Sequence, residues 1–166
     1  MKAPICENCL QSESLCDQCK QKLDDNIITQ KDIEVSRFIN TLSQKIKSLK
    51  NVTIVKAIDA TILTIVCGLG DGPMLVGRNG SVVKVLAKKF KKNIKIIEYY
   101  DNFEEFARKL LEPAEITISS VFSPEGQYYK IKIPSQQESN IGFTNQCLEK
   151  IFKDVCNKNV KVVFEN

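Results

Sequence analysis

A Gly-x-x-Gly turn, Gly77-Arg78-Asn79-Gly80, that feeds straight into a lysine-studded amphipathic segment constrains this chain more than any other stretch. Glycine has no Cβ, so the chain can bend sharply at Gly77 and Gly80 and let a second backbone come against it. Arg78 and Asn79 then project from the tip, where a guanidinium and an amide can hold phosphate oxygens. After Ser81, the apolar residues Val82, Val83, Leu86, Ala87 and Phe90 recur at helical spacing, giving one buried stripe. The helix N-terminus beside the turn adds a favourable dipole for an anion. Lys84, Lys88, Lys91 and Lys92 line the opposite face, Lys89 stands at its edge, and Lys95 follows in the next strand. Residues 75–97 carry seven basic side chains and no acidic one, in a chain whose net charge is only +4. A field of that sign beside a close-approach turn favours a single-stranded polyanion through counterion release. The bland alternative is a solvated helix face kept basic for solubility. The candidate binding residues are therefore Gly77, Arg78, Asn79, Gly80, Ser81, Lys84, Lys88 and Lys91.

The seven cysteines are unevenly placed: Cys6, Cys9, Cys16 and Cys19 form C-x2-C-x6-C-x2-C, whereas Cys67, Cys147 and Cys156 lie among apolar neighbours and read as core residues. Two C-x2-C turns can present four thiolates to one point, about 2.3 Å from a zinc ion, and four sulfur ligands leave no open position. The expectation is a structural Zn2+ knuckle over residues 1–26, stabilising a segment too short to bury a core. Two disulfides, a redox dithiol or an iron–sulfur cluster are the competing readings.

At 166 residues and 43% hydrophobic, the chain can build one medium core or two small ones. No segment approaches the apolar length of a membrane span, and the opening residues lack an apolar signal region, so a cytoplasmic protein is expected. Histidine is absent, which removes the usual proton shuttle and the common triads. Asp71 has no partner histidine, and Glu104-Glu105 reads as solvated helix charge, so no enzyme is expected.

Thr29-Gln30-Lys31-Asp32 resembles a capping signal, and Val35, Phe38, Ile39, Leu42, Ile46 and Leu49 mark an apolar helix face behind it. Strands are expected at residues 52–57 and 61–67, with Asp59 in the turn between them, and at 94–98. A flexible lead over residues 68–73 and a short helix precede the glycine turn. The same order returns 65 residues later: a helix at 103–111, a hairpin at 115–122 and 128–133 around Pro124-Glu125-Gly126, a turn, a helix and a strand at 160–164. In this second copy the turn has decayed. Ile141-Gly142-Phe143-Thr144-Asn145 keeps one glycine, its tip is uncharged, and residues 140–164 carry +2 where the first copy carries +7. A structural or weakly binding repeat follows. The expected class is α+β, a three-stranded sheet packed on helices and then repeated, with domains at 1–26, 27–99 and 100–166.

With these residues in place, the chain resembles the archaeal NusA-like proteins, short relatives of the transcription factor NusA that carry tandem KH domains. The resemblance covers nearly the whole chain and rests on Gly77-Arg78-Asn79-Gly80, the repeat, and the Cys6, Cys9, Cys16 and Cys19 opening. It implies type II KH topology, in which the glycine turn clamps about four nucleotides, single-stranded RNA as ligand, and a part in transcription elongation or termination with RNA polymerase as partner. Nothing resembles the polymerase-binding or S1 domains of bacterial NusA. A ribosome-associated or ribosome-assembly factor that binds ribosomal RNA is the alternative. A thiol-disulfide enzyme built on the paired cysteines is the rival from another class.

Overall fold

Two C-x2-C motifs, each lying at the start of a short helix, begin the chain. The computed structural model describes residues 1–124 and 126–165, with Asn140 by its backbone alone. Helix α1 (Glu7–Gln11) starts on Cys6 and α2 (Asp17–Asp24) starts on Cys16. Helix α3 (Gln30–Ser43) begins at a full capping box: the Thr29 hydroxyl accepts from the Asp32 N–H, and the Asp32 carboxylate accepts from the Thr29 N–H at 2.7 Å. It ends earlier than its apolar period suggests. Ile46 is extended and a 3-10 turn at Lys47–Asn51 carries Leu49 into the core, so Ile46 and Leu49 stay on the apolar side without belonging to the helix.

Strands β1 (Ile54–Asp59) and β2 (Leu63–Cys67) pair antiparallel, with Asp59 closing β1 and not sitting in the turn. Helix α4 (Gly72–Val76) rises from the expected lead with Pro73 in its first turn, where a missing N–H costs nothing. Helix α5 (Ser81–Phe90) follows the glycine turn and β3 (Ile94–Glu98) pairs parallel to β2. Val35 and Ile39 of α3, Leu75 of α4, and Val82 and Leu86 of α5 bury against Ala57, Leu63, Ile65 and Cys67, so three helices cover one face of the sheet. Each such side chain contributes on the order of 1.5–3 kcal/mol.

The second half repeats this plan. Helix α6 (Phe103–Leu111), strands β4 (Thr117–Ser123) and β5 (Gly126–Pro134), helices α7 (Glu138–Ile141) and α8 (Asn145–Cys156), and strand β6 (Val160–Glu165) run in the same order. β4 and β5 pair antiparallel and β5 and β6 parallel, as in the first sheet. Glu125 of the expected hairpin turn lies outside the described residues. Phe103, Phe106 and Phe152 form an edge-on aromatic chain, and Phe103 also meets Tyr129 with ring centroids 4.5 Å apart. The fold is α+β with two three-stranded sheets, and the chain divides into compact units at residues 1–99 and 100–166. The four-cysteine segment belongs to the first unit. No helix among the described residues is long and apolar enough to cross a membrane.

Candidate nucleic-acid interface and metal centre

Each glycine of the first turn meets a different demand. Gly77 has φ 73°, and a Cβ there would stand 2.6 Å from the Val82 Cγ2 and 2.9 Å from the Val82 backbone nitrogen. Gly80 has φ 72° but open space where a Cβ would go, so conformation alone selects glycine and the surface above it stays clear. Asn79 between them is also left-handed, at φ 53°, a conformation asparagine accepts more readily than most residues. The turn closes on itself through the Gly80 N–H to the Gly77 carbonyl at 3.1 Å. No side chain caps the first amides of α5 behind it. The Ser81 N–H instead bonds the Arg78 carbonyl within the turn.

Arg78, Asn79, Ser81, Lys84, Lys88 and Lys91 are all exposed. Lys84 and Lys88 stand one turn apart on α5, and Lys91 ends the helix in a left-handed conformation. None of Arg78, Lys84, Lys88 and Lys91 meets an acidic partner among the described residues. The structure removes Lys92 from the expected basic face. Its Nζ binds the Asp59 carboxylate at 2.6 Å and the Ala60 carbonyl at 2.7 Å. Lys89 also points elsewhere, with its Nζ over the Phe38 ring at 5.5 Å. Asp71, weighed for catalysis, instead accepts the Thr53 N–H at 2.7 Å and holds the loop before α4.

The turn of the second unit keeps one left-handed glycine, Gly142 at φ 69°, but differs at its tip and its cap. Phe143 is buried where Arg78 is exposed, and the Thr144 hydroxyl caps α8 by accepting from the Cys147 N–H. Asn145 donates to the Val162 carbonyl at 3.3 Å. An inward aromatic ring and a filled cap leave no projecting cation and no free first turn.

The sulfur atoms of Cys6, Cys9, Cys16 and Cys19 all lie within 4.8 Å of one another. Four thiolates bound tetrahedrally at about 2.3 Å sit about 3.8 Å apart, and the Cys6 and Cys16 sulfurs are 3.8 Å apart. The two turns bond reciprocally: the Cys6 N–H donates to the Cys19 sulfur at 3.4 Å and the Cys16 N–H to the Cys9 sulfur at 3.1 Å. All four cysteines are free, with Cys9 and Cys19 buried and Cys6 and Cys16 exposed. The Cys9 backbone and thiol bring the Cys6 thiol down to about 7. The Cys16 N–H pulls the other way on Cys9, yet burial and the neighbouring thiols push that thiol up to about 12. Burial likewise raises Cys19. The four residues form a cluster able to hold a metal ion.

The knuckle packs its few apolar residues against those that follow it. Ile5, Cys9 and Leu10 bury against Ile28 and Ile33. It is also tied to α3, for Arg37 Nε donates to the Cys9 carbonyl at 2.9 Å. No spacing rule relates residues 9 and 37, so sequence reasoning had no signal for this contact. The remaining cysteines divide: Cys67 is fully buried, and burial pushes its thiol up to about 12, whereas Cys147 and Cys156 are half-buried.

No protein-family model and no curated protein sequence matches the chain. Among solved structures, the crystal structure of APE1850, a small archaeal protein, superposes with a TM-score of 0.60 at 19% identity. The match covers 78% of this chain and 96% of that one. At that identity the likeness is one of fold.

Proposed function

We propose that the chain is an RNA-binding factor that grips single-stranded RNA through the first repeat and acts by binding, not catalysis. The carrying observation is the contrast between the two turns. In the first, two left-handed glycines, an uncapped α5 and the exposed cations Arg78, Lys84, Lys88 and Lys91 stand together. In the second, a buried phenylalanine and a threonine cap occupy the same positions. A turn retained only for folding would be free to cap its helix as the second does. In this reading both units are type II KH domains, a view supported by the twice-repeated order of helix, two strands, two helices and strand, with a mixed sheet. Gly77, Arg78, Asn79, Gly80 and Ser81 hold the strand's backbone, and Lys84, Lys88 and Lys91 supply the surrounding field. Cys6, Cys9, Cys16 and Cys19 bind Zn2+ as a structural ion. The place in transcription elongation or termination rests on the resemblance to NusA-like proteins.

The test is a double substitution, Arg78→Asp with Asn79→Asp, assayed by fluorescence anisotropy on a short single-stranded RNA. Most of the affinity is lost while the unfolding transition is kept; unchanged affinity rejects the clamp. Recovery from cells with RNA polymerase supports the transcription role, and recovery with a ribosomal subunit replaces it with the ribosomal one.

A further inference from the structure

Register pairing sorts each sheet into two faces, and the faces turned away from the core differ sharply between the two units. In the first unit this second face carries Ile58, Thr64, Val66 and Ile97, all buried, with the nearly buried Lys56 and the half-exposed Lys95 beside them. At the matching register the second unit carries Ser119, Lys130, Lys132 and Val163, with Thr117, Tyr128 and Lys161 beside them. Ile118, Tyr129, Ile131, Val160 and Val162 alternate with these and face α6 and α8, which leaves the other side open. Ser119, Thr117 and Lys161 are exposed, and Tyr128, Lys130 and Lys132 are half-exposed.

This open face has a definite chemistry. Lys161 Nζ stands 4.7 Å from the centre of the Tyr128 ring, so an aromatic plane and a cation lie side by side. Lys130 is the direct cross-strand partner of Lys161, and Lys132 lies two residues along. Like charges set opposite each other disfavour a sheet, and among the described strand residues of this face the one acidic group, Glu165, must serve both Lys130 at 3.5 Å and Lys132 at 2.9 Å. Glu149 and Asp154 of α8 line the cavity beside Tyr128 and Lys161, together with Lys150, Lys153 and Lys158. Lys161 has no acidic partner among the described residues. The face therefore stores an excess of positive charge around a tyrosine, with the Thr117 hydroxyl as a further donor on the same face, while the Ser119 hydroxyl donates to the Lys130 carbonyl at 3.5 Å. A protein partner would want an apolar centre, and beyond Tyr128 only Val121 and Val163, both half-buried, could supply one. A nucleotide wants a ring to stack on and a cation for its phosphate, which is what Tyr128 and Lys161 offer.

We propose that the second unit, having lost the glycine clamp, binds single-stranded RNA on the open face of its sheet, stacking a base on Tyr128 and holding phosphates with Lys161 and Lys130. This inference rests on RNA being the ligand, but not on the first turn holding it.

The experiment uses the full chain carrying Arg78→Asp and Asn79→Asp, titrated with a labelled oligouridine of about twelve nucleotides. Weak residual binding is expected. Adding Tyr128→Ala lowers it about fivefold or more, whereas Tyr128→Phe, which keeps the ring, leaves it in place. Adding Lys130→Gln with Lys161→Gln reduces the salt dependence by about 0.7 in log–log slope for each phosphate contact removed. Should Tyr128→Ala unfold the unit, the lysine pair and Tyr128→Phe still decide the matter. Absence of any residual binding overturns the second surface and leaves the clamp standing. Residual binding indifferent to both Tyr128→Ala and the lysine pair overturns it as well, and so does polyglutamate binding as tightly as RNA, which marks a surface for acidic protein. If the clamp substitutions change nothing, the clamp fails instead, and Tyr128→Ala in the unmodified chain decides the sheet face alone.

Discussion

Arg37 Nε donates a 2.9 Å hydrogen bond to the carbonyl oxygen of Cys9, a residue twenty-eight positions earlier, and so fastens the four-cysteine segment to the middle of α3. Its Nη2 reaches the Ser14 carbonyl at 3.4 Å, and Asn40, one turn further along α3, donates to the Leu10 carbonyl at 3.5 Å. One α3 face therefore receives α1 and the loop behind it through polar bonds, while Ile33 receives Ile5 and Leu10 through apolar contact. These contacts hold the knuckle to the rest of the first unit.

Arg37→Ala removes a charged donor and leaves the Cys9 carbonyl without its partner. Bonds to charged groups contribute roughly 1.5–3 kcal/mol, and partial exposure of Arg37 favours the low end. Urea unfolding should show a loss of about 1–2 kcal/mol. Competition with a chromophoric chelator should show faster metal loss. A variant unchanged in both would mean that the apolar cluster alone fixes the knuckle.

Metal removal should be felt locally and should depend on pH in a fixed direction. Bound thiolates need their protons displaced, and without metal Cys9 is pushed up to about 12 while Cys6 lies at about 7. Apparent affinity therefore falls as pH drops, by about tenfold per pH unit for each proton displaced. Between pH 8 and 6 the Cys6 thiol also becomes protonated, which steepens the loss. Chelation should raise amide exchange over residues 1–28 and leave the sheet protected, as hydrogen-exchange mass spectrometry can measure.

The two glycines of the first turn should respond differently to alanine. Gly77→Ala meets both a left-handed φ and contacts of 2.6 and 2.9 Å, one of them with backbone, so stability should fall by about 2 kcal/mol or more. Gly80→Ala meets the φ but open space, and should cost about 1–2 kcal/mol. Its RNA affinity should nevertheless drop, because the added methyl stands where the strand's backbone would approach. Equal RNA affinity in Gly80→Ala and the unmodified chain would contradict that approach.

Local signals carried most of the fold into the sequence. Thr29 and Asp32 are three residues apart, and their reciprocal bonds are what that spacing allows. The repeat was visible because Val83, Leu86, Leu148 and Ile151 follow one period. What stayed hidden depends on partners far along the chain. The apolar period runs past Ser43 into Ile46 and Leu49 because a 3-10 turn keeps Leu49 pointing inward, so the helix end leaves no mark in the pattern. Lys92 looks like Lys91 in sequence, but only tertiary structure sets Asp59 beside it. The basic face of the second sheet was missed because Tyr128, Lys130 and Lys161 join it only once β5 and β6 are paired.

Lys92 supplies a control for the basic face. The bond from Lys92 holds the Asp59 carboxyl below the usual carboxylate range, opposed by partial burial and helped by Lys31. A depressed carboxylate stabilises the fold above its unfolded pKa, and that contribution is lost as pH falls through the lower folded value. Both partners are more than a third exposed, so Lys92→Ala should cost under about 1 kcal/mol at neutral pH and still less in strong acid. RNA affinity should change little beside that of Lys84→Ala with Lys88→Ala. A loss as large as theirs would place Lys92 on the strand.

Asp32 should be the most sensitive polar position in the first unit. Its carboxylate is fully buried, caps α3 through Thr29, accepts the Ala57 N–H of β1 and lies 3.5 Å from Lys56 Nζ. One side chain thus joins the start of α3 to the middle of the edge strand β1. Lys56 is itself nearly buried and has one further acceptor, the Ile27 carbonyl at 2.8 Å. Asp32→Ala loses the cap, orphans the Ala57 N–H and leaves Lys56 with an uncompensated charge, so about 3–5 kcal/mol should be lost. Asp32→Asn keeps the shape and one acceptor oxygen but cannot neutralise Lys56, and should fall between the two. Adding Lys56→Met to Asp32→Ala removes the stranded ammonium and should restore part of the loss. If urea unfolding showed the double variant no more stable than Asp32→Ala alone, the cost would lie in the cap and the strand amide, and not in the buried charge.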